Sequence, residues 1–246
     1  MSGLVDELVL GPGVRAGFTS RAGGVSAPPW DSLNLGVHVH DDPAAVAVNR
    51  DRVAAWCGVP VAYATQVHGA AVHQVTEPPP PGTWSVGEAD AMVTTSTRVG
   101  LGVLVADCAP VLLADPTARV VAVAHAGRAG LVAGVVEATV AQMCRAGARA
   151  GQVVAVIGPC IAGCSYEVPA SMRDEVEQAV PGTASRTDQG TPAVDLAAGV
   201  RTILGRLGVA RVDQVPVDTF GDQRCFSHRR DGPRTGRFAG VIRLLP

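Results

Sequence analysis

The stretch VLVADCAPVLLADPTARVVAVAHAGRAG, residues 103–130, decides the fold. Its runs VLVA and VVAVA are apolar on both faces of a pleat, which predicts strands that are buried on both sides of a sheet. Polar residues follow each run where a core would normally reject them: Asp107 and Cys108 after the first, and His125 after the second. Because the residues just past such strands lie at the rim of a sheet, we expect a functional site there.

Short apolar runs elsewhere in the chain predict further strands of a mixed sheet. Each run is rich in Val and bounded by Gly, Pro or Asp. The predicted strands are residues 61–67, 71–76, 101–106, 110–114, 119–125, 152–157 and 238–244. Two amphipathic segments, residues 130–147 and 195–208, predict helices. Because the order of strands and helices is irregular, we expect helices on the outer faces of a mixed sheet rather than a repeated βαβ fold.

Length and composition predict one soluble globular domain over residues 1–246. The chain is 47% hydrophobic and 17% charged, and no stretch approaches the roughly 18 apolar residues of a membrane span. The Pro-rich segment 77–84 and the polar segment 180–195 predict surface connections within that domain. A formal net charge of −2 without a basic block gives no footprint for nucleic acid or an acidic membrane. We therefore expect a small-molecule partner.

The cysteines and basic residues narrow the chemistry. No basic start followed by an apolar segment opens the sequence, so we expect a cytoplasmic protein. The six cysteines are dispersed, which suits reduced thiols or metal ligands rather than a disulfide scaffold. All 20 basic residues are Arg. The absence of Lys excludes Schiff-base chemistry and a P-loop, and it leaves Arg as the only fixed cation for gripping an anion.

Three residues with soft or imidazole donors follow predicted strands: His68, Cys108 and His125. Two His and one Cys are a sufficient set of protein ligands for a catalytic Zn²⁺, which keeps its fourth position open. Gaps of 40 and 17 residues would bring these ligands from separate strand ends. Each residue taken alone also fits a packing role in the core, because buried Cys and single His residues commonly have one.

The HVH pair formed by His38 and His40 raises the question of copper. A blue-copper centre takes two His and a Cys, and the other four histidines of this chain could not also hold a cluster of several coppers. We therefore expect zinc rather than copper, and we interpret the pair as polar positions on a loop.

Two Arg-bearing segments are suited to anions. Arg21 lies in TSRAGGVS, residues 19–26, where two glycines permit close backbone approach, and Arg50 lies in NRDR, residues 49–52. A third basic run, SHRRDGPRTGR at residues 227–237, is interpreted as a structural hairpin with ion pairs.

Eight motifs occur in the order that is typical of one known family and cover residues 17 to 243. They are SRAGGVS, DSLNLGVHVHDDPAAVAVNR, TQVHGAAV, ADAMVT, VADCAPVLLAD, VAHAG, IGPCIAGCSYEV and SHRRDGPRTGR. The chain resembles the laccase-domain family, which is also called polyphenol oxidase-like, purine nucleoside phosphorylase or peptidoglycan editing factor.

The resemblance implies a fold and an activity. The implied fold is a single α+β domain, a four-layer α/β/β/α sandwich with mixed β-sheets. The implied ligands of a zinc ion are His68, Cys108 and His125. The implied reactions are phosphorolysis of adenosine, inosine and methylthioadenosine and deamination of adenosine. We then expect the three ligands and Arg50 to be catalytic, and Arg50 and Arg21 to hold phosphate.

One motif departs from the family pattern. Members usually read HAGWRG, whereas this chain reads HAGRAG, with Arg128 in the Trp position and Ala129 in the Arg position. The zinc ligand His125 is retained, but the contribution of the Trp and Arg to substrate binding is not. Arg128 could reach the same anion from one residue earlier.

Two alternatives remain open at the level of sequence. In the first, Cys108 is a nucleophile activated by His125 or His68 and cleaves an amide or ester in a peptidoglycan precursor. A cysteine that is held by zinc is poorly free to attack, so this alternative competes with the metal site. In the second, the altered motif marks a non-catalytic zinc-binding module.

Overall fold

The structure is a computed structural model that describes residues 4–246, and its strands form two large sheets and a hairpin. The strands are β1 (Val5–Leu8), β2 (Val14–Thr19), β3 (Val61–Tyr63), β4 (Val72–Gln74), β5 (Ala91–Thr94), β6 (Gly100–Val105), β7 (Ala109–Asp115), β8 (Val120–Ala126), β9 (Val154–Ile157), β10 (Ala184–Arg186), β11 (Pro192–Val194), β12 (Arg211–Gln214) and β13 (Phe238–Leu244). The helices are α1 (Pro43–Cys57), α2 (Arg128–Val132), α3 (Val135–Arg145), α4 (Ala170–Ala179), α5 (Leu196–Arg206) and α6 (His228–Asp231).

Both large sheets are mixed, as the sequence predicts. The five-stranded sheet has the order β1-β2-β13-β6-β3, in which only β3 and β6 pair in parallel. The six-stranded sheet has the order β12-β9-β7-β8-β5-β4, with parallel pairs at both edges and antiparallel pairs in the middle. The strands β6 and β7 follow one another in the chain but lie in different sheets, so the turn between them joins the two layers.

Alternation along the central strands explains the layering. In β7, Leu112 lies in the cluster between the sheets and Leu113 lies in the cluster beneath the helices. In β6, Val103 faces the other sheet and Leu104 packs in the cluster that contains residues of α1. Successive strand residues point to opposite faces, and here both faces are covered. The predicted four-layer α/β/β/α arrangement is confirmed.

Some element boundaries differ from the prediction. The predicted helix 130–147 is two helices, because Gly134 has φ 88° and interrupts the helical backbone. The predicted helix 195–208 is α5, which begins after Asp195, whose side chain accepts a hydrogen bond from the Ala198 N–H at 2.9 Å. The predicted strand 61–67 ends at Tyr63.

Nine of these helices and strands were not predicted: β1, β2, β5, β10, β11, β12, α1, α4 and α6. Helix α1 begins with Asp42, whose side chain caps Ala44 N–H, and has Pro43 in its first turn. The predicted surface connection 180–195 joins α4 to α5 and contains the β10–β11 hairpin. Within the described residues 4–246, no helix is long and apolar enough to cross a membrane.

We predict that Leu112→Ala lowers the free energy of unfolding by about 2–5 kcal/mol, because truncation leaves a cavity between two packed sheets. Leu112 is 0% exposed. Urea denaturation measures the change. The control is Val48→Ala on the exposed side of α1, which should change stability by less than about 0.5 kcal/mol. A loss below about 1 kcal/mol at Leu112 would contradict the assigned layering.

Candidate metal centre

The fold brings His68, Cys108 and His125 together at the junction of the two sheets. His68 follows β3, Cys108 lies in the turn between β6 and β7, and His125 lies near the end of β8. Their candidate ligand atoms all lie within 4.8 Å of one another. The Cys108 Sγ is 3.8 Å from the His68 Nε2, and the two imidazole centroids are 4.7 Å apart. The three predicted ligands can therefore contact one ion.

The backbone around this cluster has uncommon conformations. His68 has φ 60°, and Asp107, next to Cys108, has φ 104°. Residues with side chains rarely adopt such angles, and they persist only where surrounding contacts hold them. The Gln66 side chain supplies such contacts: its Nε2 donates to the Leu104 carbonyl at 2.7 Å, and its Oε1 accepts from the Leu104 N–H at 2.8 Å. These bonds fix the loop that carries His68 to β6.

The backbone of Gly127 packs directly against the cluster. A Cβ at this position would lie 2.8 Å from His68 Cδ2 and 2.9 Å from Cys108 Sγ. Both distances are shorter than carbon and sulfur atoms tolerate without displacement. The glycine after His125 therefore leaves the space that the two ligands need.

The Asp90 carboxylate orients the His125 ring and the loop that carries His68. Its carboxylate accepts hydrogen bonds from the His125 Nδ1 at 2.8 Å and from the backbone N–H groups of Val67, His68 and Gly69 at 3.2, 2.9 and 2.7 Å. The side chain is 0% exposed. Burial alone would raise the pKa of Asp90, but these hydrogen bonds outweigh it and hold the pKa below the ordinary carboxyl value. With Nδ1 bound to Asp90, His125 presents Nε2 to the cluster.

Asp90 was not predicted as a site residue from the sequence. The sequence feature that could have indicated it is an acidic residue directly before the apolar strand AMVT, in the motif ADAMVT. Asp107, which the sequence placed beside Cys108, turns away from the cluster. Its carboxylate accepts from the Thr219 hydroxyl at 2.6 Å and from the Arg229 N–H at 2.7 Å, so it fixes the C-terminal segment.

Cys108 and His125 polarise one another. Burial alone would raise the pKa of the Cys108 thiol, but the neighbouring His125 and the hydrogen bonds to His125 and His68 lower it to about 6. Burial opposes charge on His125, but the Cys108 sulfur and the Asp90 carboxylate outweigh burial and raise its pKa. The geometry therefore favours a thiolate, which is the form of cysteine that binds metal.

The donor set fits a borderline-soft ion that keeps an open position. Two imidazoles and one thiolate match the protein ligands of catalytic zinc sites, and an imidazole hydrogen-bonded to a carboxylate is the usual arrangement behind such ligands. His68 is exposed, whereas His125 is buried. The cluster is therefore open on the His68 side, where a substrate could approach.

A cavity of about 200 Å³ opens beside the cluster. Its walls carry four imidazoles and one guanidinium, and no carboxylate lies among its described lining residues. The lining residues are His38, Gln66, His68, Leu104, Val105, Ala106, Cys108, His125, His228 and Arg237. His38 was expected as a polar loop position and His228 and Arg237 as part of a structural hairpin. The structure brings all three to the cavity.

Arg21 and Arg50 do not line this cavity. The Arg21 guanidinium pairs with the Asp31 carboxylate at 2.8 Å. Arg50 donates through Nε to the Leu35 carbonyl at 2.9 Å and through Nη1 to the Trp84 carbonyl at 2.8 Å. Both expected phosphate ligands are therefore engaged in contacts that hold loops.

The altered motif residues also lie outside the cavity lining. Arg128 is the first residue of α2 and lies close to the phenol of Tyr166. Burial and the Cys108 charge raise the pKa of Tyr166, and the positive charges of Arg128 and Arg229 oppose them. Ala129 is exposed. Arg128 therefore contributes charge on the Tyr166 side of Cys108.

Comparison with known proteins agrees with the fold. The family model described as multi-copper polyphenol oxidoreductase laccase matches residues 15–245. A purine nucleoside phosphorylase of Mycobacterium tuberculosis is 49% identical over 232 residues, which cover 93% of this chain and 91% of the relative. A purine nucleoside phosphorylase of Streptomyces coelicolor is 49% identical over 238 residues, 94% of this chain and 96% of the relative.

A solved structure supports the same relationship. The crystal structure of a Neisseria meningitidis protein superposes with a TM-score of 0.88 at 35% sequence identity. The alignment covers 99% of this chain and 100% of that chain. The likeness therefore extends over both sheets and all elements that carry the cluster.

We predict that Asp90→Asn weakens zinc binding by about 10–100-fold, because the amide is neutral and no longer favours the proton on His125 Nδ1. Competition with a chromogenic chelator measures the affinity. The matched control is Asp213→Asn, in which an exposed carboxylate paired with Arg211 is changed. Equal affinities for zinc in the two variants would contradict the orienting role of Asp90.

Proposed function

We propose that this chain, which belongs to the multi-copper polyphenol oxidoreductase laccase family, is a zinc-dependent purine nucleoside phosphorylase. The observation that carries the proposal is the convergence of His68, Cys108 and His125 beside a cavity. Relatives that are 49% identical over more than nine-tenths of both chains bear the name purine nucleoside phosphorylase. The substrates are then a purine nucleoside and phosphate, as the sequence analysis expects.

The residues around the cluster would have different roles in phosphorolysis. Bound zinc would supply Lewis-acid polarisation at its open position. Asp90 holds the His125 tautomer, and Gln66 holds the His68 loop, so that the ligands need little reorganisation. His38 faces the cavity, and burial together with the charges of Arg237 and Arg50 lowers its pKa. A neutral His38 can therefore donate a hydrogen bond to a bound substrate near neutral pH.

We extend the proposal to deamination of adenosine at the same site. In zinc deaminases, water attacks C6 of adenine and ammonia leaves. The same cavity would have to admit the purine ring in the opposite orientation, with C6 rather than the ribose towards the cluster.

A nucleoside substrate and six cysteines without a disulfide also fit the expected cytoplasmic location.

One observation favours the second candidate, a Cys-His hydrolase. The lowered pKa of Cys108 and its contact with His68 are also what a nucleophilic thiolate requires. The two functions differ in the state of Cys108: a ligand is bound to the ion, whereas a nucleophile carries an acyl group during turnover. Metal analysis combined with intact-mass spectrometry after incubation with a peptidoglycan precursor distinguishes them.

We predict that removing the metal with a chelator, or changing His68 to Ala, lowers inosine phosphorolysis by more than about 100-fold, because a direct ligand costs more than an orienting residue. Release of hypoxanthine in the presence of phosphate measures the rate. Adenosine with and without phosphate separates the two activities, since phosphorolysis gives adenine and deamination gives inosine.

The matched control for His68→Ala is His73→Ala, which removes an exposed imidazole on β4. This variant should retain the wild-type rate. Full activity of chelated, metal-free protein would exclude the zinc-dependent mechanism.

A further inference from the structure

We propose that the Arg237 guanidinium, assisted by His38 and His228, is the phosphate subsite of the cavity beside the His68, Cys108 and His125 cluster. The identity of the anion rests on the proposed phosphorylase function. The presence of an anion subsite rests on the structure of the cavity alone.

Arg237 is a partly buried cation with unused donors. Its Nη1 donates to the carbonyls of Thr235 and Gly236 at 3.0 and 2.9 Å. Among residues 4–246, no group accepts a hydrogen bond from its Nε or Nη2, and no carboxylate lies within 4.0 Å of its nitrogens. Burial lowers the pKa of Arg237, and the charges of Cys108 and Asp107 only partly oppose this effect. A desolvated guanidinium of this kind favours an anion that can take two parallel hydrogen bonds.

The position of the Arg237 side chain is fixed before any ligand arrives. The Asn34 Oδ1 accepts from the backbone N–H groups of Arg237 and Gly36, both at 2.9 Å. A Cβ at Gly36 would lie 2.7 Å from the Arg237 Cγ, so the glycine makes room for the arginine stem. Such preorganisation lowers the entropy that binding costs.

Arg21 and Arg50 contact other groups and do not line this cavity. Arg21 pairs with Asp31 and lies over the Phe226 ring at 5.1 Å. Arg50 lies 4.2 Å from the Tyr63 ring centroid and donates to two carbonyls. Arg237, by contrast, lines the same cavity as the cluster.

The rest of the cavity wall favours negative charge. His38 and His228 lie on it, and both can donate a hydrogen bond to a phosphate oxygen. The carboxylate nearest to the cluster, Asp90, is fully buried behind His125 and is satisfied by four N–H groups. Asp107, whose charge acts on Arg237, is turned to the Thr219 hydroxyl and the Arg229 N–H and does not line the cavity. Repulsion between these carboxylates and an entering phosphate is therefore small.

A phosphate held at Arg237 fits the balance of the reaction. One oxygen of hydrogenphosphate forms a bond to C1′ of the ribose as the bond from C1′ to N9 breaks. The electron pair of that bond leaves with the purine, and the proton of hydrogenphosphate ends on the purine. The products are ribose 1-phosphate and the free base, and no other reactant is needed.

The test uses the zinc-loaded full chain and two readouts. The first is the KM for phosphate and for inosine in phosphorolysis. The second is binding of radiolabelled inorganic phosphate in equilibrium dialysis without nucleoside. We expect Arg237→Gln to raise the KM and the Kd for phosphate at least about tenfold, because two charge-assisted hydrogen bonds are lost. The KM for inosine should stay within about twofold, since the base does not contact the guanidinium.

Two further variants separate charge from shape. Arg237→Lys keeps the charge but loses the planar fork, so its effect should fall between those of wild type and Arg237→Gln. Gly36→Ala retains Arg237 but displaces its stem, and it should also raise the Kd for phosphate. The matched control, Arg234→Gln, changes an exposed arginine of the same segment that lies over Trp30, and it should bind phosphate as wild type does. Circular dichroism verifies that each variant is folded.

The outcomes separate this inference from the proposed function. If wild type binds phosphate and Arg237→Gln does not, the subsite is supported even where wild type fails to cleave inosine; that failure counts against the phosphorylase function alone. If wild type cleaves inosine but Arg237→Gln leaves the phosphate KM unchanged, the subsite is wrong. If Arg237→Gln does not fold, Arg237→Lys and Gly36→Ala decide by the same criterion.

Discussion

The site depends on the hydrogen bonds accepted by the buried carboxylate of Asp90. An ionised carboxylate inside a protein is costly unless its oxygens are hydrogen-bonded, and Asp90 is satisfied by four N–H groups. Three of them belong to consecutive residues of the loop that carries His68, and the fourth belongs to the His125 ring. One side chain therefore sets the path of one ligand loop and the tautomer of another ligand. If Asp90 were absent, the three backbone N–H groups and the buried imidazole would lose their acceptor together.

The two-sheet architecture explains why the ligands meet. His68 follows a strand of one sheet, His125 belongs to the other, and Cys108 lies in the turn where the chain passes from β6 to β7. Strands β6 and β7 are buried on both faces, so their ends cannot shift without disturbing two packed clusters. The strained backbone at Asp107 is held between these rigid strands and by the Thr219 hydroxyl. The packing that stabilises the fold thus also fixes the Cys108 sulfur.

The sequence was sufficient for the parts of the fold that depend on local pattern. The runs that became β6, β7 and β8 have uninterrupted apolar residues, and the donors at their ends could be identified as candidate ligands. Helix α1 was missed because its apolar residues form no clear stripe, although Asp42 and Pro43 are typical of a helix start. The break in the predicted helix 130–147 depends on a single positive φ at Gly134, and a glycine within an amphipathic pattern does not by itself indicate one.

The arginine that we propose for the anion subsite could not be chosen from sequence, because that role depends on contacts over long distances in the chain. Arg21, Arg50 and Arg237 are chemically identical, and the fold distinguishes them by how many donors it consumes. Loop carbonyls and a carboxylate accept from Arg21 and Arg50. Asn34, some 200 residues away, instead fixes the backbone of Arg237, whose Nε and Nη2 have no acceptor among residues 4–246.

The charge balance of the cavity links the proposed anion subsite to the candidate metal ligands. A divalent ion bound by one thiolate and two neutral imidazoles would leave one positive charge, and Arg237 on the wall of the same cavity adds a second. A dianion such as hydrogenphosphate would neutralise both, whereas a neutral nucleoside would neutralise neither. Because no described carboxylate lines this cavity, its charge balance favours an anion over a neutral ligand at the proposed subsite. A neutral nucleoside would then bind through hydrogen bonds and apolar contacts with the remaining wall.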